Sequence, residues 1–199
     1  MSDGITITAK FDWRPAKALM RKLSGPKLHQ ALSAAVNDSA QQVERQSERL
    51  VARSLSIPVK RAKLGIWLNP YSTAKTLTAV VRGSGSLIPL KAFSAKESGD
   101  GVVATIWGSK VHHPGAFIFG GSDTDHTKEL GIGGHVFTRL GKSRLPIKRA
   151  RGAAIAEAMA KDAVSDANET YGAARLQANV LRQLTRYAST KKAASKRKS

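Results

Sequence analysis

The 199-residue chain reads as an α+β protein, an antiparallel β-sheet of about four to five strands packed against N-terminal and C-terminal helices. Two observations predict this class. Apolar residues recur at helical spacing before Pro58 and after Ala150, and at alternating positions between Ile66 and Arg139. Glycines 83, 85, 99, 101 and 108 gather between or beside the alternating stretches, as turns between short strands require.

Taken in order, ITITAKF at residues 5–11 alternates like a short strand, and DWRPAKALMRKL at 12–23 follows as a short helix with Pro15 in its first turn. Ser24, Gly25 and Pro26 punctuate the chain. The next helix carries Leu28, Leu32, Ala35, Val36, Val43, Leu50 and Val51 on one stripe, with Ser39, Gln46 and Ser47 as weaker members. Asn37, Gln41, Glu44 and Arg45 face away, and the helix stops before Pro58. PVKRAKL, residues 58–64, is a short basic helix or a basic turn. Strands are expected over 66–71, 77–82, 102–107, 117–119 and 136–139, with a projecting polar loop from Gly120 to Gly134. From Ala150 the pattern is helical again, as one helix or two broken near Asn168 to Gly172. The organisation is thus an arm at 1–25, a single α+β domain at 26–187 and a disordered basic tail at 188–199.

Charge restricts the partners. Thirty-three Lys and Arg against fourteen Asp and Glu leave a formal charge of +19, which favours a polyanion, an acidic protein surface, or both. No acidic residue lies between Glu48 and Glu97, nor between Leu130 and Ala156. The candidate DNA or partner contacts are Lys60, Arg61, Lys63, Arg139, Lys142, Arg144, Lys148, Arg149, Lys191, Lys192, Lys196, Arg197 and Lys198. Contact with DNA would be made to its backbone, without base readout. No stretch approaches the roughly 20 apolar residues that cross a bilayer, and the first residues lack an apolar secretory core, so no membrane partner and a cytoplasmic synthesis are expected.

Motifs for chemistry are missing. With no cysteine there is neither disulfide nor thiolate ligand. VRGSGSL and GIGGH lack the lysine and hydroxyl of a phosphate-binding loop, and no G-x-S-x-G elbow occurs. His112 and His113 would alternate sides of a strand. Asp123, Asp125, His126 and Glu129 lack the ordered spacing of a calcium loop and read as a solvated polar loop. The expectation is no catalytic residue, no metal and no cofactor. Phe117, Phe119, Val136 and Phe137 read as sheet core, and Trp67 and Trp107 as strand residues.

HHPGAFIFGG, from His112 to Gly121, and GGHVFTRLGKSRLPIKRARG, from Gly133 to Gly152, resemble the phage minor tail protein Z family, itself similar to tail-completion and head–tail connector proteins. The likeness runs through Pro114, Gly115, Ala116 and Phe117, a variable polar loop, a returning strand at His135, Val136, Phe137 and Arg139, and a Gly141-x-x-Arg144 turn into Leu145, Pro146 and Ile147. More weakly it extends over residues 27–187. The resemblance implies a tail-completion-like fold and a structural virion component, made in the host cytoplasm and added at the head-proximal end of the tail. It implies a ring of copies, often hexameric, around the DNA channel, with tail-terminator, tail-tube or connector proteins as neighbours. The alternatives are a sequence-independent DNA-binding or assembly factor acting outside the virion, and a small nuclease using the His112, His113, Asp123 and His126 region.

Overall fold

The computed structural model describes residues 14–23, 25–120 and 133–196. The expected strand at 5–11, Trp13, the acidic–histidine cluster at 123–129, Arg197 and Lys198 lie outside them. The described chain opens with helices α1 (Arg14–Lys22), α2 (Gly25–Leu55) and α3 (Val59–Lys63). Strands β1 (Ile66–Leu68), β2 (Val81–Gly83) and β3 (Leu87–Pro89) follow, then a 3-10 turn at Leu90–Phe93. After it come β4 (Lys96–Ser98), β5 (Gly101–Ile106), β6 (Ser109–Pro114), β7 (Ala116–Ile118), β8 (Val136–Arg139), β9 (Ile147–Arg149) and β10 (Arg151–Ala154). Helices α4 (Ile155–Met159) and α5 (Asp162–Lys196) close the chain.

The class is α+β, but the strands do not form one sheet. Among the described residues they form four small antiparallel ones: β1–β2, β3–β10, β4–β5–β6 and β7–β8–β9. Backbone turns shape the β4–β5–β6 sheet and end it. Gly99 (φ 59) leads the two-residue turn between β4 and β5, and Trp107 (φ 55) and Gly108 (φ 76) make the turn between β5 and β6, the positive φ values that tight hairpins demand. Gly115 (φ 69) then breaks the chain after Pro114, so that β7 starts a new sheet instead of extending β6. Pro114 and Gly115 thus stand between two sheets.

The segment after Ala150 also differs from expectation. Arg151–Ala154 is a strand paired with Leu87–Pro89 across a bulge, despite its helix-favouring alanines. Tertiary pairing outweighs propensity here because Phe93, fully buried, packs its ring directly on the Cα of Gly152. The helical break falls between Met159 and Asp162; helix α5 passes uninterrupted through Asn168 to Gly172 and continues to Lys196, over part of the stretch read as a disordered tail.

The chain divides into two compact units. The first comprises Glu48–Gly65 and Ser84–Met159, and its large buried side chains include Leu55, Ile88, Leu90, Phe93, Val102, Val136 and Met159. The second comprises described residues up to Ser47, Ile66–Gly83 and Ala160 onward. In this second unit Ala16, Leu23, Ala31, Ala35, Val180 and Leu184 form one apolar cluster.

Helix α2 supplies its buried ridge with small residues. Ala31, Ala35, Ser39, Val43, Ser47, Val51 and Leu55 are all buried, one every fourth residue, while Leu28, Leu32, Val36 and Leu50 are only half-buried. A ridge of alanine and serine lets the α5 backbone approach, and buried polar groups then need partners. Asn179 Nδ2 donates to Ser39 Oγ at 2.9 Å, and Asp38 accepts from Arg182 (2.8 Å) and Gln183 (2.5 Å). Asn37, expected to face away, instead clamps Ser72: its Oδ1 accepts the Ser72 N–H at 2.7 Å and its Nδ2 donates to the Ser72 carbonyl at 2.9 Å. Ser33 Oγ donates to the same carbonyl.

Helix α2 ends on a Schellman motif. The Ile57 N–H reaches the Ala52 carbonyl at 3.0 Å, the Ser56 N–H reaches Arg53 at 3.3 Å, and Ser56 takes the left-handed conformation (φ 60) usually given to glycine. Its hydroxyl accepts the Gly108 N–H at 3.0 Å, tying the helix end to the β5–β6 turn within the first unit.

A candidate partner interface: basic hollow and phenylalanine–arginine sheet face

Helix α3 starts where Pro58 offers its carbonyl to the N–H groups of Arg61 (2.8 Å) and Ala62 (3.2 Å). Only Ala62 is buried. Val59, Lys60, Lys63 and Leu64 stand in solvent and Arg61 is half-exposed, so the helix is anchored by one methyl group and presents its cations outward. The 3-10 turn at Leu90–Phe93 behaves similarly: Leu90 and Phe93 are fully buried and hold the turn, leaving Lys91 exposed. Lys91 Nζ donates to the Gly133 carbonyl at 2.6 Å. Gly134 (φ 68) lies under the Lys91 chain, 3.1 Å from Nζ measured from where a Cβ would sit, so any side chain there would crowd the lysine.

These elements border an open hollow of about 510 Å³ lined by Pro58, Lys60, Arg61, Leu64, Pro89, Lys91, Ala92 and His135. Its walls are proline, leucine and alanine carbon; its charges are three cations. His135 has its proton affinity lowered, first by burial and then by the positive charges of Arg149 and Lys91. Its Nδ1 is buried and has no hydrogen-bond partner among the described residues.

From His135 the surface continues onto the sheet β7–β8–β9. Phe117 pairs with Phe137, which pairs with Arg149 on the next strand, while Arg139 pairs with Ile147. Because side chains alternate along a strand, His135, Phe137 and Arg139 share a face with Phe117, Phe119 and Arg149. The Phe117 and Phe137 rings stack at 6.3 Å, Phe119 meets Phe137 edge-on at 6.0 Å, and the Arg139 guanidinium lies 4.7 Å from the Phe117 centroid. Arg149 lies 6.0 Å from the Phe137 centroid. Val136 and Ala116, on the other face, are the buried side. The expectation that these phenylalanines are core thus holds for Phe137 and Val136, while Phe117 is half-buried and Phe119 is 36% exposed. Among the described residues, the Arg139 and Arg149 guanidinium groups lie over the rings on that face.

Of the candidate contacts named from the sequence, Lys60 and Arg61 line the hollow, and Arg139 and Arg149 cover the phenylalanine face. Lys63 is exposed on α3, Lys148 points to the opposite face of β9, and Lys142 and Arg144 are exposed between β8 and β9. Lys191, Lys192 and Lys196 lie on the last turns of α5, in the second unit. Lys91, His135, Leu64, Pro89 and Ala92 were not singled out as site residues by the sequence. The alternation of His135, Phe137 and Arg139 was a usable signal for one of them; nothing local marks Lys91 or Pro89, which arrive by tertiary folding.

His112 pairs with exposed Asp100 at 3.3 Å across the β4–β5–β6 sheet, and His29 is exposed on α2. Among the described residues no group of three or more His, Asp or Glu side chains is placed to hold a metal ion, and no helix is long and apolar enough to cross a membrane. No family model, no curated protein and no solved structure matches the chain.

Proposed function

We propose that this protein is a non-catalytic structural component of a tailed phage, a minor tail or tail-completion subunit that joins copies of itself into a ring, hexameric as in related completion proteins, at the head-proximal end of the tail. Its neighbours there are tail-terminator, tail-tube or connector proteins, and DNA in the channel lies within reach of its cations. The order and spacing of residues 112–152 support the family side of this reading. One observation carries the interaction side: in the first unit, Lys60, Arg61, Lys63, Lys142, Arg144, Lys148 and Arg149 have no carboxylate partner among the described residues, and several of them frame apolar or aromatic surface. Uncompensated cations on such surface suit an anionic protein or nucleic-acid partner better than they suit solvent or a reaction centre.

The test is image averaging of purified virions carrying a label at the C terminus of this protein. Label in a ring at the head–tail junction supports the proposal and gives the copy number. Normal expression with no label in intact particles refutes it and leaves a DNA-binding or assembly factor that acts outside the virion.

A further inference from the structure

We infer that the hollow beside α3 is a docking site for an acidic peptide segment of a partner protein, one that places an apolar side chain between prolines while its carboxylates meet the surrounding cations. This inference stands whether or not the protein belongs to a phage tail.

Three features of the hollow select that occupant. Its floor and walls are apolar, built from Pro58, Leu64, Pro89 and Ala92, and about 510 Å³ accommodates a large side chain with part of its backbone. Its charged members, Lys60, Arg61 and Lys91, come from two separate elements and are all of one sign. Lys91 spends one donor on the Gly133 carbonyl and keeps two for a ligand. Leu64, 71% exposed at the rim, and the neighbouring Val59, 47% exposed, are apolar side chains left in water beside cations. A partner of mixed acidic and apolar character covers both.

The competing occupants fit less well. A phosphate backbone would use the cations and leave the proline and leucine walls wet. A second copy of this chain, +19 overall, would meet these cations with net repulsion except through its few acidic stretches. His135 adds a response to the ligand. It faces Arg149 from β9 and Lys91 from the 3-10 turn, and shares the hollow with Lys60 and Arg61 of α3. A bound carboxylate would offset the positive surroundings that now oppose its protonation.

The test uses the full chain and three fluorescein-labelled probes: a short peptide of alternating leucine and aspartate, a peptide of equal length alternating serine and aspartate, and a single-stranded oligothymidylate. Binding is read by fluorescence anisotropy, with backbone amide NMR shifts to locate the site. The leucine–aspartate peptide binds most tightly and shifts the amides of Leu64, Lys91 and His135. Arg61→Glu weakens it by about tenfold or more. Leu64→Ser, a change at an exposed position that leaves the fold intact, weakens the same peptide by about fivefold and leaves the other two probes unaffected. The inference is overturned if the serine–aspartate peptide or the oligonucleotide binds equally well and Leu64→Ser changes nothing, for the cations then act without the apolar walls. It is equally overturned if the leucine–aspartate peptide shows no binding up to about millimolar concentration.

Discussion

Replacing Gly152 by alanine tests the account of why residues 151–154 form a strand against their propensity. A Cβ at position 152 would sit 2.5 Å from Cε2, 2.9 Å from Cζ and 3.1 Å from Cδ2 of Phe93. That ring is fully buried and cannot swing into solvent, so the strain falls on β10, on the 3-10 turn, or on both. Overpacking of this kind costs about 1–3 kcal/mol, and the smaller entropy of the unfolded alanine chain returns about 0.4–1 kcal/mol. The expected net loss is about 1–2 kcal/mol, which in a chain of this size lowers the melting temperature by about 2–8 °C. Thermal unfolding followed by circular dichroism measures it. Gly85→Ala is the control, since a Cβ there meets nothing within 4 Å. Combining Gly152→Ala with Phe93→Leu should give a loss smaller than the sum of the two single changes, because the shorter side chain vacates the contested space. A Gly152→Ala protein as stable as the control, or strictly additive losses, would refute the claim that this ring holds the strand in place.

Three further outcomes follow from the same geometry. Asn37→Ala strands the Ser72 N–H while the Ser72 carbonyl keeps Ser33, so denaturant titration should record a loss of about 1–3 kcal/mol, and Asn37→Asp, which retains the acceptor, should lose less. At Ser56, alanine forfeits the bond to the Gly108 N–H and keeps the left-handed strain, whereas glycine forfeits the bond and relieves the strain; paired melting curves should rank glycine above alanine by about 1 kcal/mol. His135 is held below the ordinary histidine value by burial, Arg149 and Lys91, so the unfolded chain binds its proton more readily, and the stability it contributes is present above about pH 6.5 and lost as pH falls through that value toward the folded pKa. Urea midpoints between about pH 7.5 and 5.5 should therefore fall less in His135→Gln than in the parent protein.

The elements with strong local signals were legible in the sequence, and those decided by distant partners were not. Pro58 and the basic run after it left a short helix or a turn open, of which α3 is the helix, and Val136 to Arg139 is β8 at the expected bounds. On α2 the period was right but the ranking of its members was not. Hydrophobicity favours Leu28, Leu32 and Leu50, while the structure buries Ala31, Ser39 and Ser47, because close helix approach selects for smallness. β3 and β10 were missed because each is stabilised by a strand more than sixty positions away across a bulge, and nothing within RGAA suggests extension. The hollow was half legible. Lys60 and Arg61 announced a basic surface, but its apolar walls come from Pro89 and Ala92, and its lysine from a 3-10 turn whose buried Leu90 and Phe93 are what face Lys91 outward.

The strength of the positive field in the first unit depends on where its few acids went. Glu97 accepts the Ile118 N–H at 2.9 Å, so its carboxylate holds β7 to β4. Glu157 reaches back to the Ala154 N–H at 3.3 Å and caps the start of α4, a position that the helix dipole also favours. Asp100 sits in the β4–β5 turn beside His112. Each of these carboxylates is engaged with backbone or histidine, and none is spent neutralising the lysines and arginines of α3, β8 or β9. Like charges repel over about 10 Å at 0.1 M salt, so crowding such cations costs stability unless something offsets it. The arginines of the sheet face recover part of that cost by lying over Phe117 and Phe137. Lys60 and Arg61 have no such aromatic partner among the described residues. They border apolar walls that water covers poorly, and an anion brought there gains attraction from the cations and burial from the walls together. Among the described residues, Glu97 and Glu157 serve the backbone and Asp100 a histidine, and Lys60 and Arg61 have no carboxylate partner.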